Sequence, residues 1–384
     1  MGSVLTQQRD TEVGDAARWP RVRLGDVCEF IGGGTPDKSH SEYYGDEIPW
    51  VTVRDMTSSV ITKTERCITR LGLERSAANL IPAGNVIIST HVGLGKVCLL
   101  AVDAAINQDL KAVIPISDRL SIEFLKTCFM VLADYIVSQG TGSTVKGVKL
   151  SFVQDLLIPL PPLPVQREIV ARLERELGAV DKLAKKFEEL EAAAEAEFKA
   201  ELKETFEEIS RRGTEVRRLG DVCTRLSSGK NITARNVAKC GTYPVYGANG
   251  LRGYAEVSNF DGECVVIGRQ GALCGNVRYF SGSAYMSDHA VVAQFVDAVD
   301  ARYMLYQLDN MKLGRLSAQA AQPGLAVSVI AVQEVLVVPL SVQREVVTRL
   351  DAAKAKKEKL VAAARRGRET AALMRKAILK EAFE

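Results

Sequence analysis

The sequence predicts an α+β protein in which two duplicated globules of mixed α and β structure are separated by two long helices. The main observation is internal repetition, which has to be recognised first because it determines how the whole chain is divided into domains. Three segments recur almost unchanged: 23–28 as 218–223, 165–170 as 342–347, and 202–207 as 379–384. The last two pairs share an offset of 177 residues, so this stretch repeats without a gap. We therefore expect the chain order globule, helix, globule, helix.

A length of 384 residues also exceeds that of one ordinary domain. We expect five regions: a flexible tail (1–20), a first globule (21–158), a linker with the first long helix (159–212), a second globule (213–338) and a second long helix (339–384). No run approaches the roughly 18 apolar residues of a membrane span, and the first residues do not form a signal segment. These features predict a cytoplasmic protein that does not bind a membrane.

The two globules combine short β-rich runs with one amphipathic helix each. In the first, residues 121–137 form a helical pattern with Ser121 as the expected N-cap, and residues 301–316 hold the same place in the second. Each globule also has a segment in which a glycine-rich loop follows a central strand, at 84–97 and at 262–277. The loops align, but their side chains differ. A shared scaffold with different loop tips is suited to recognising two different targets.

Four prolines end the first globule. A strongly helical pattern then runs from about 165 to about 209, and Gly213 terminates the helix shortly after it. The second long helix is expected from about 342 to 383. Residues 151–215 carry 10 basic and 15 acidic side chains, whereas residues 342–384 carry 12 and 6, so the two helices should lie together. The apolar stripe predicts these partner-packing residues: Val170, Leu173, Leu177, Val180 and Phe187 on the first helix, and Val347, Leu350 and Leu360 on the second. The second stripe is weaker, because Gly367 replaces the apolar residue found in the first.

Catalytic and metal-binding motifs are not found in the sequence. The eight cysteines are scattered without a Cys-x-x-Cys pair, so neither a zinc site nor a reactive dithiol is expected. Gly95-Lys96 fails as a phosphate loop, because Thr90 stands at the required upstream glycine and Val97 follows the lysine. We expect no catalytic residues, no metal and no cofactor in this chain.

Recognition of nucleic acid is the remaining function class, because polar and basic side chains cluster in the loops. Arg, Asn, Gln, Ser and Thr can contact base edges, while Lys and Ser can hold phosphates. The candidate DNA-binding residues are Arg54, Ser89, Thr90, His91, Lys96, Thr144 and Lys146 in the first globule, and Lys230, Asn249, Arg269, Gln270, Arg278 and His289 in the second.

These residues lie among motifs through which the chain resembles the DNA-specificity subunit of type I restriction-modification systems, from about Val22 onward. The motifs are Gly-Gly-Thr-Pro at 33–36, Ile-Pro-Trp-Val at 48–51, Gly-Thr-Gly-Ser-Thr-Val-Lys at 140–146, the proline-rich segment 158–166, Tyr-Pro-Val-Tyr-Gly-Ala-Asn-Gly at 243–250 and Gln-Pro-Gly-Leu at 322–325. The resemblance implies two target-recognition domains, each for one half of an asymmetric bipartite DNA site. It also implies an antiparallel coiled coil of the two helices with pseudo-twofold symmetry, which sets the spacer between the half-sites.

The resemblance further implies the partners: double-stranded DNA, two modification (methyltransferase) subunits and restriction motor-nuclease subunits. S-adenosylmethionine would belong to the methyltransferase, and ATP and Mg to the motor-nuclease. One alternative is a non-catalytic coiled-coil scaffold without DNA specificity. An enzyme with its own active site is disfavoured by the missing motifs. A free-standing transcription regulator is disfavoured because duplicated globules on long helices differ from a helix-turn-helix layout.

Overall fold

The computed structural model describes residues 19–142, 146–271, 273–317 and 324–382. The expected N-terminal tail therefore lies almost wholly outside the described residues. The chain divides into two compact units, one of Met1–Lys185 with Arg368–Glu384 and the other of Lys186–Gly367. Each unit contains one globule and part of both long helices. Within the described residues, no helix is long and apolar enough to span a membrane.

The first unit contains two five-stranded sheets, a two-stranded clasp and several helices. Its strands are β1 (Arg21–Arg23), β2 (Cys28–Gly32), β3 (Tyr44–Gly45), β4 (Ile48–Val51), β5 (Val60–Ile61), β6 (Arg66–Ile68), β7 (Leu80–Ile81), β8 (Val86–Ser89), β9 (Val97–Leu100), β10 (Ala104–Ile106), β11 (Leu110–Pro115) and β12 (Leu157–Pro159). The helices are α1 (Leu24–Val27), α2 (Arg70–Glu74), α3 (Ile122–Ser138), α4 (Leu150–Gln154) and the first long helix, α5 (Leu163–Arg211). The sheet orders are β3-β6-β4-β10-β7 and β2-β11-β8-β9-β5, and β1 pairs with β12.

The second unit repeats this plan in reduced form. Its strands are β13 (Glu215–Arg218), β14 (Cys223–Ser228), β15 (Tyr243–Gly247), β16 (Gly250–Ala255), β17 (Glu263–Gly268), β18 (Val277–Ser281), β19 (Tyr285–Met286), β20 (Ala290–Phe295) and β21 (Glu334–Val337). Its helices are α6 (Ala301–Met311), α7 (Val327–Ala331) and the second long helix, α8 (Leu340–Glu381). The sheet orders are β14-β20-β17-β18 and β16-β15-β19, and β13 pairs with β21.

The duplication predicted from the sequence is confirmed in the central part of both globules. In both globules a parallel pair, β4 with β10 and β15 with β19, leads by a short turn into the second strand of the other sheet, β11 or β20. The N-cap of α3 is also confirmed, since the Ser121 side chain accepts a hydrogen bond from the Phe124 amide. The helix expected at 301–316 is shorter than predicted. Lys312 adopts a left-handed φ of 51° after α6, and a 3₁₀ turn follows at Leu313–Leu316.

A buried glutamine in each repeated Val-Gln-Arg-Glu motif joins its globule to a long helix. Gln166 is fully buried; its Oε1 accepts from the Ser121 amide, and its Nε2 donates to the carbonyls of Arg119 and Pro161. Gln343 is also fully buried and makes the same three kinds of bond, with the Asp300 amide and the carbonyls of Ala298 and Val338. Because unpaired buried backbone groups are costly, these bonds give a physical reason for the repeated glutamine.

The long helices run antiparallel within each unit. In the second unit, Nε of Arg349 lies 2.6 Å from Glu201, Nζ of Lys356 lies 2.7 Å from Glu197, and Nε of Arg365 lies 3.1 Å from Glu191. Partner numbers fall along α5 as they rise along α8. In the first unit Arg375 contacts Asp181 at 2.8 Å. The pairing of an acidic with a basic helix is therefore confirmed.

The apolar stripe also extends beyond the contact between the helices. Val170, Leu173 and Leu177 join the core of the first globule, where the end of α8 packs as well. Val347 and Leu350 join the core of the second globule together with residues 198–209 of α5. Val180 is buried, whereas Phe187 and Leu360 are half-buried. Gly367 explains the weak point of the second stripe, because a Cβ there would lie 2.4 Å from the Phe187 ring.

Candidate nucleic-acid interface

The two glycine-rich loops occupy equivalent places in the two globules. The first joins β8 to β9 and contains Gly93 and Gly95 with φ of 70° and 86°; the second joins β17 to β18 and contains Gly271 and Gly275 with φ of 83° and 85°. These values favour glycine, which lacks the Cβ that makes such a backbone costly. One residue of the second loop, Ala272, lies outside the described residues.

Several candidates of the first globule border its loop. The His91 side chain is exposed and lies against the backbone at Gly147, where a Cβ would be 2.6 Å from His91 Cδ2. Lys146 precedes this point, and the Val148 amide donates to the Thr90 carbonyl at 2.9 Å. Lys96 is exposed, and its Nζ donates to the Met56 carbonyl at 3.1 Å. The structure thus brings His91, Lys96 and Lys146 to one loop.

Arg54 lies beside the same loop, because a Cβ at Gly93 would be 2.6 Å from Val53 Cγ1. The Arg54 side chain is exposed and lines a polar groove together with Lys38, Arg66 and Asp109. Thr144 lies outside the described residues, so the structure does not place it.

The structure corrects the prediction for Ser89 and Thr90, which are 2% and 1% exposed. The Ser89 hydroxyl donates to the Val92 carbonyl, and the Thr90 hydroxyl donates to the Asp109 carbonyl at 3.2 Å. Both side chains therefore hold the loop in shape and cannot reach DNA directly. The sequence pattern missed this because a hydroxyl in a polar loop is as suited to an internal hydrogen bond as to an external one.

The candidates of the second globule also come together around their loop. The Asn249 side chain is exposed at the turn between β15 and β16. Arg278 follows the loop, and a Cβ at Gly250 would be 3.1 Å from its guanidinium carbon. The Arg269 amide donates to the His289 carbonyl at 2.9 Å, and Gln270 forms a backbone bridge with Gly324. Lys230 is exposed and forms a backbone bridge with Ser287.

Burial makes most of the thiols poor nucleophiles. It raises the pKa of Cys28, Cys223 and Cys264 to about 12 and that of Cys98 to about 11. The exposed thiol is that of Cys240. Among the residues that the structure describes, no three His, Cys, Asp or Glu side chains lie together in a way that could hold a metal ion.

One polar turn in the middle of these groups, Asn107–Asp109 between β10 and β11, contains no residue predicted from the sequence. Its counterpart, Ser287–His289 between β19 and β20, was predicted in part, because Ser287 and His289 both stand among the polar loop residues of the second globule. A polar triplet between two apolar runs, at the same place in both repeats, was the available signal.

The chain is similar to known proteins over most of its length. The family model described as the type I restriction modification DNA specificity domain matches twice, at residues 17–192 and 211–363. The EcoprrI specificity subunit of Escherichia coli is 29% identical over 346 residues, which cover 84% of each chain. The MjaIX specificity subunit of Methanocaldococcus jannaschii is 27% identical over 251 residues, which cover 60% of this chain and 58% of the relative.

Solved structures share the fold. A chain from a study of complex assembly and conformational transition of the type I R-M system superposes with a TM-score of 0.78 at 20% identity, over 98% of this chain and 99% of that one. The HsdS subunit from Thermoanaerobacter tengcongensis gives a TM-score of 0.53 at 20% identity, over 95% and 96% of the two chains. The repeated sheets, the paired long helices and the double match of the family model agree, and this chain belongs to the family of type I restriction-modification DNA specificity subunits.

Proposed function

We propose that this chain selects the DNA target of a type I restriction-modification complex, each globule recognising one half of an asymmetric bipartite site. The observation that carries the proposal is the pair of matched loop scaffolds with different side chains. The same backbone hydrogen bond is made by Thr90 with Asp109 and by Arg269 with His289. Equivalent backbones with different polar tips recognise two different half-sites.

The remaining candidates have distinct roles in this proposal. The exposed Arg54, His91, Lys96 and Lys146 contact the first half-site, and Lys230, Asn249, Arg269, Gln270, Arg278 and His289 contact the second. Thr144 stays with the first set as a prediction. The paired helices set the spacer and dock two methyltransferase subunits. Chemistry resides in those partners, which carry S-adenosylmethionine, and in motor-nuclease subunits that use ATP and Mg.

Charge supports a requirement for partners in DNA binding. Residues 21–150 carry 14 basic and 14 acidic side chains, and residues 216–341 carry 12 and 9. Affinity for DNA depends strongly on neutralising phosphates with Lys and Arg, so nearly neutral globules bind weakly by themselves. We expect weak binding by the purified chain and tight specific binding by the assembled complex in a gel-shift titration. Tight specific binding by the chain alone would contradict this expectation.

The decisive experiment exchanges residues 21–158 for the equivalent segment of another family member. The chimera is expressed with its modification subunit, and methylated sites are mapped by sequencing the host genome. We expect a new first half-site with an unchanged second half-site and spacer. Alteration of both halves would refute the assignment of one half to each globule. A chain that neither co-purifies with a methyltransferase nor directs methylation would favour the scaffold alternative, which the family match does not support.

A further inference from the structure

The turns Asn107–Asp109 and Ser287–His289, here called the crossover turns, are built on the same backbone frame. Each turn is closed by a backbone hydrogen bond to the carbonyl of its first residue. The Leu110 amide donates to the Asn107 carbonyl at 3.2 Å, and the Ala290 amide donates to the Ser287 carbonyl at 3.0 Å. The amide of each first residue donates to the end of the parallel neighbour strand, Asn107 to Val51 and Ser287 to Tyr246. The crossover turns are thus equivalent positions of the two repeats.

Each crossover turn supports the glycine-rich loop beside it through the carbonyl of its third residue. The Asp109 carbonyl accepts from the Thr90 amide, and the His289 carbonyl accepts from the Arg269 amide. Neighbouring glycines allow the chain to pass close to each turn. A Cβ at Gly33 would lie 2.3 Å from the Asn107 carbonyl oxygen, and one at Gly229 would lie 2.5 Å from that of Ser287. The turns are therefore held rigidly at the centre of the candidate interface.

The first residue of each crossover turn is a buried polar side chain with an atom that has no partner. Asn107 is 7% exposed and Ser287 is fully buried. Asn107 Oδ1 and Ser287 Oγ have no hydrogen-bond partner among the described residues. Such atoms are costly in folded proteins, and Arg172 Nε and Gln307 Oε1 are two others. At the crossover turns they occur at the same position of both repeats, next to the more exposed second and third residues of each turn.

The side chains of the first crossover turn define the chemistry that it can recognise. Asn107 Nδ2 donates to Asp109 Oδ2 at 3.2 Å, so the buried amide orients the half-buried Asp109 carboxylate, which keeps further acceptor capacity. Asn107, Gln108 and Asp109 all line the polar groove that also contains Arg54 and Arg66. A carboxylate repels phosphate but accepts a hydrogen bond from an exocyclic amino group of a base.

We propose that the crossover turns are specificity-determining elements, and that Asn107–Asp109 recognises an exocyclic amino group, adenine N6 or cytosine N4, in the first half-site. This inference rests on the proposed function. Arg54 and Arg66 flank the groove and hold the DNA backbone, while the exposed Gln108 and the half-buried Asp109 carboxylate contact the base edge. Ser287–His289 takes the equivalent position in the second half-site. Its carboxylate and imidazole give it a different base preference.

The test uses Asp109→Asn and His289→Gln in the assembled complex with the modification subunits, with DNA selected from a random pool and methylation mapped in cells. The first variant replaces one acceptor oxygen with a donor, so discrimination should fall about tenfold or more at one or two positions of the first half-site only. His289→Gln should alter only the second half-site. Asp118→Asn is the matched control, since it removes the same charge from an exposed residue beyond the other end of β11.

The outcomes separate the two levels of the proposal. A parent complex without a bipartite target refutes the proposed function itself. A bipartite target that stays unchanged in Asp109→Asn, or that changes in both halves, refutes only the role of the crossover turn. Thermal melting and co-purification verify assembly. If Asp109→Asn fails to assemble, the exposed Gln108→Ala variant replaces it and must alter the first half-site alone.

Discussion

Gly367 of α8 gives a quantitative test of how the two long helices pack in the second unit. A Cβ built at this residue would lie 2.4 to 2.5 Å from three carbons of the Phe187 ring. Carbon atoms in favourable contact are about 3.5–4.0 Å apart, so the ring or the helix must move when alanine replaces this glycine. Gly178 of α5 is the matched control, because a Cβ there would meet nothing within 4 Å.

Two opposing contributions determine the stability of Gly367→Ala. Replacing glycine by alanine inside a helix stabilises the folded state by about 0.5–1 kcal/mol. Forcing a methyl group into a packed contact costs about 1–3 kcal/mol. We therefore expect Gly367→Ala to destabilise the protein by about 1 kcal/mol and Gly178→Ala to stabilise it by about 0.5–1 kcal/mol. The opposite signs make the comparison informative.

Urea unfolding followed by circular dichroism of the helices measures both effects as shifts of the midpoint at unchanged slope. In a Phe187→Ala background the ring is absent and the clash is removed. Gly367→Ala should then increase the free energy of unfolding, as Gly178→Ala does. If Gly367→Ala stabilises the parent chain as much as Gly178→Ala does, the Phe187 ring does not pack on Gly367 and the reasoning fails.

Two further predictions concern buried polar groups and thiols. Gln166→Leu and Gln343→Leu should each destabilise the protein by about 3 kcal/mol in urea unfolding, because each leaves one amide and two carbonyls without their partner. The exposed Gln139→Leu should stay within about 0.5 kcal/mol of the parent, and equal effects at the three sites would contradict the role of the buried glutamines. In thiol labelling of the native protein at pH 8, followed by mass spectrometry, Cys240 should react at once. Cys28 and Cys264, with pKa values raised to about 12 by burial, should react only on unfolding; rapid labelling of Cys264 would show that β17 is not buried as described.

Local sequence signals determined the helices and the duplication. The first long helix was expected from about 165 to 209 and is observed at Leu163–Arg211, because prolines, Gly213 and a helical apolar period act over a few residues. The Ser121 N-cap is equally local. Opposite charge on the two helices predicted their pairing, since that property depends on composition and not on register.

Only the tertiary structure decided which loop side chains face outward and which groups meet. Thr90 is buried beside β11, which pairs with β8, and its hydroxyl donates to the Asp109 carbonyl just before β11. The Ser89 hydroxyl instead donates to the Val92 carbonyl of its own loop. The frame of the crossover turns likewise depends on pairing with β4 and β15, far away along the chain. Strand pairing and the fit of Gly367 to Phe187 depend on contacts between distant segments, which no local pattern encodes.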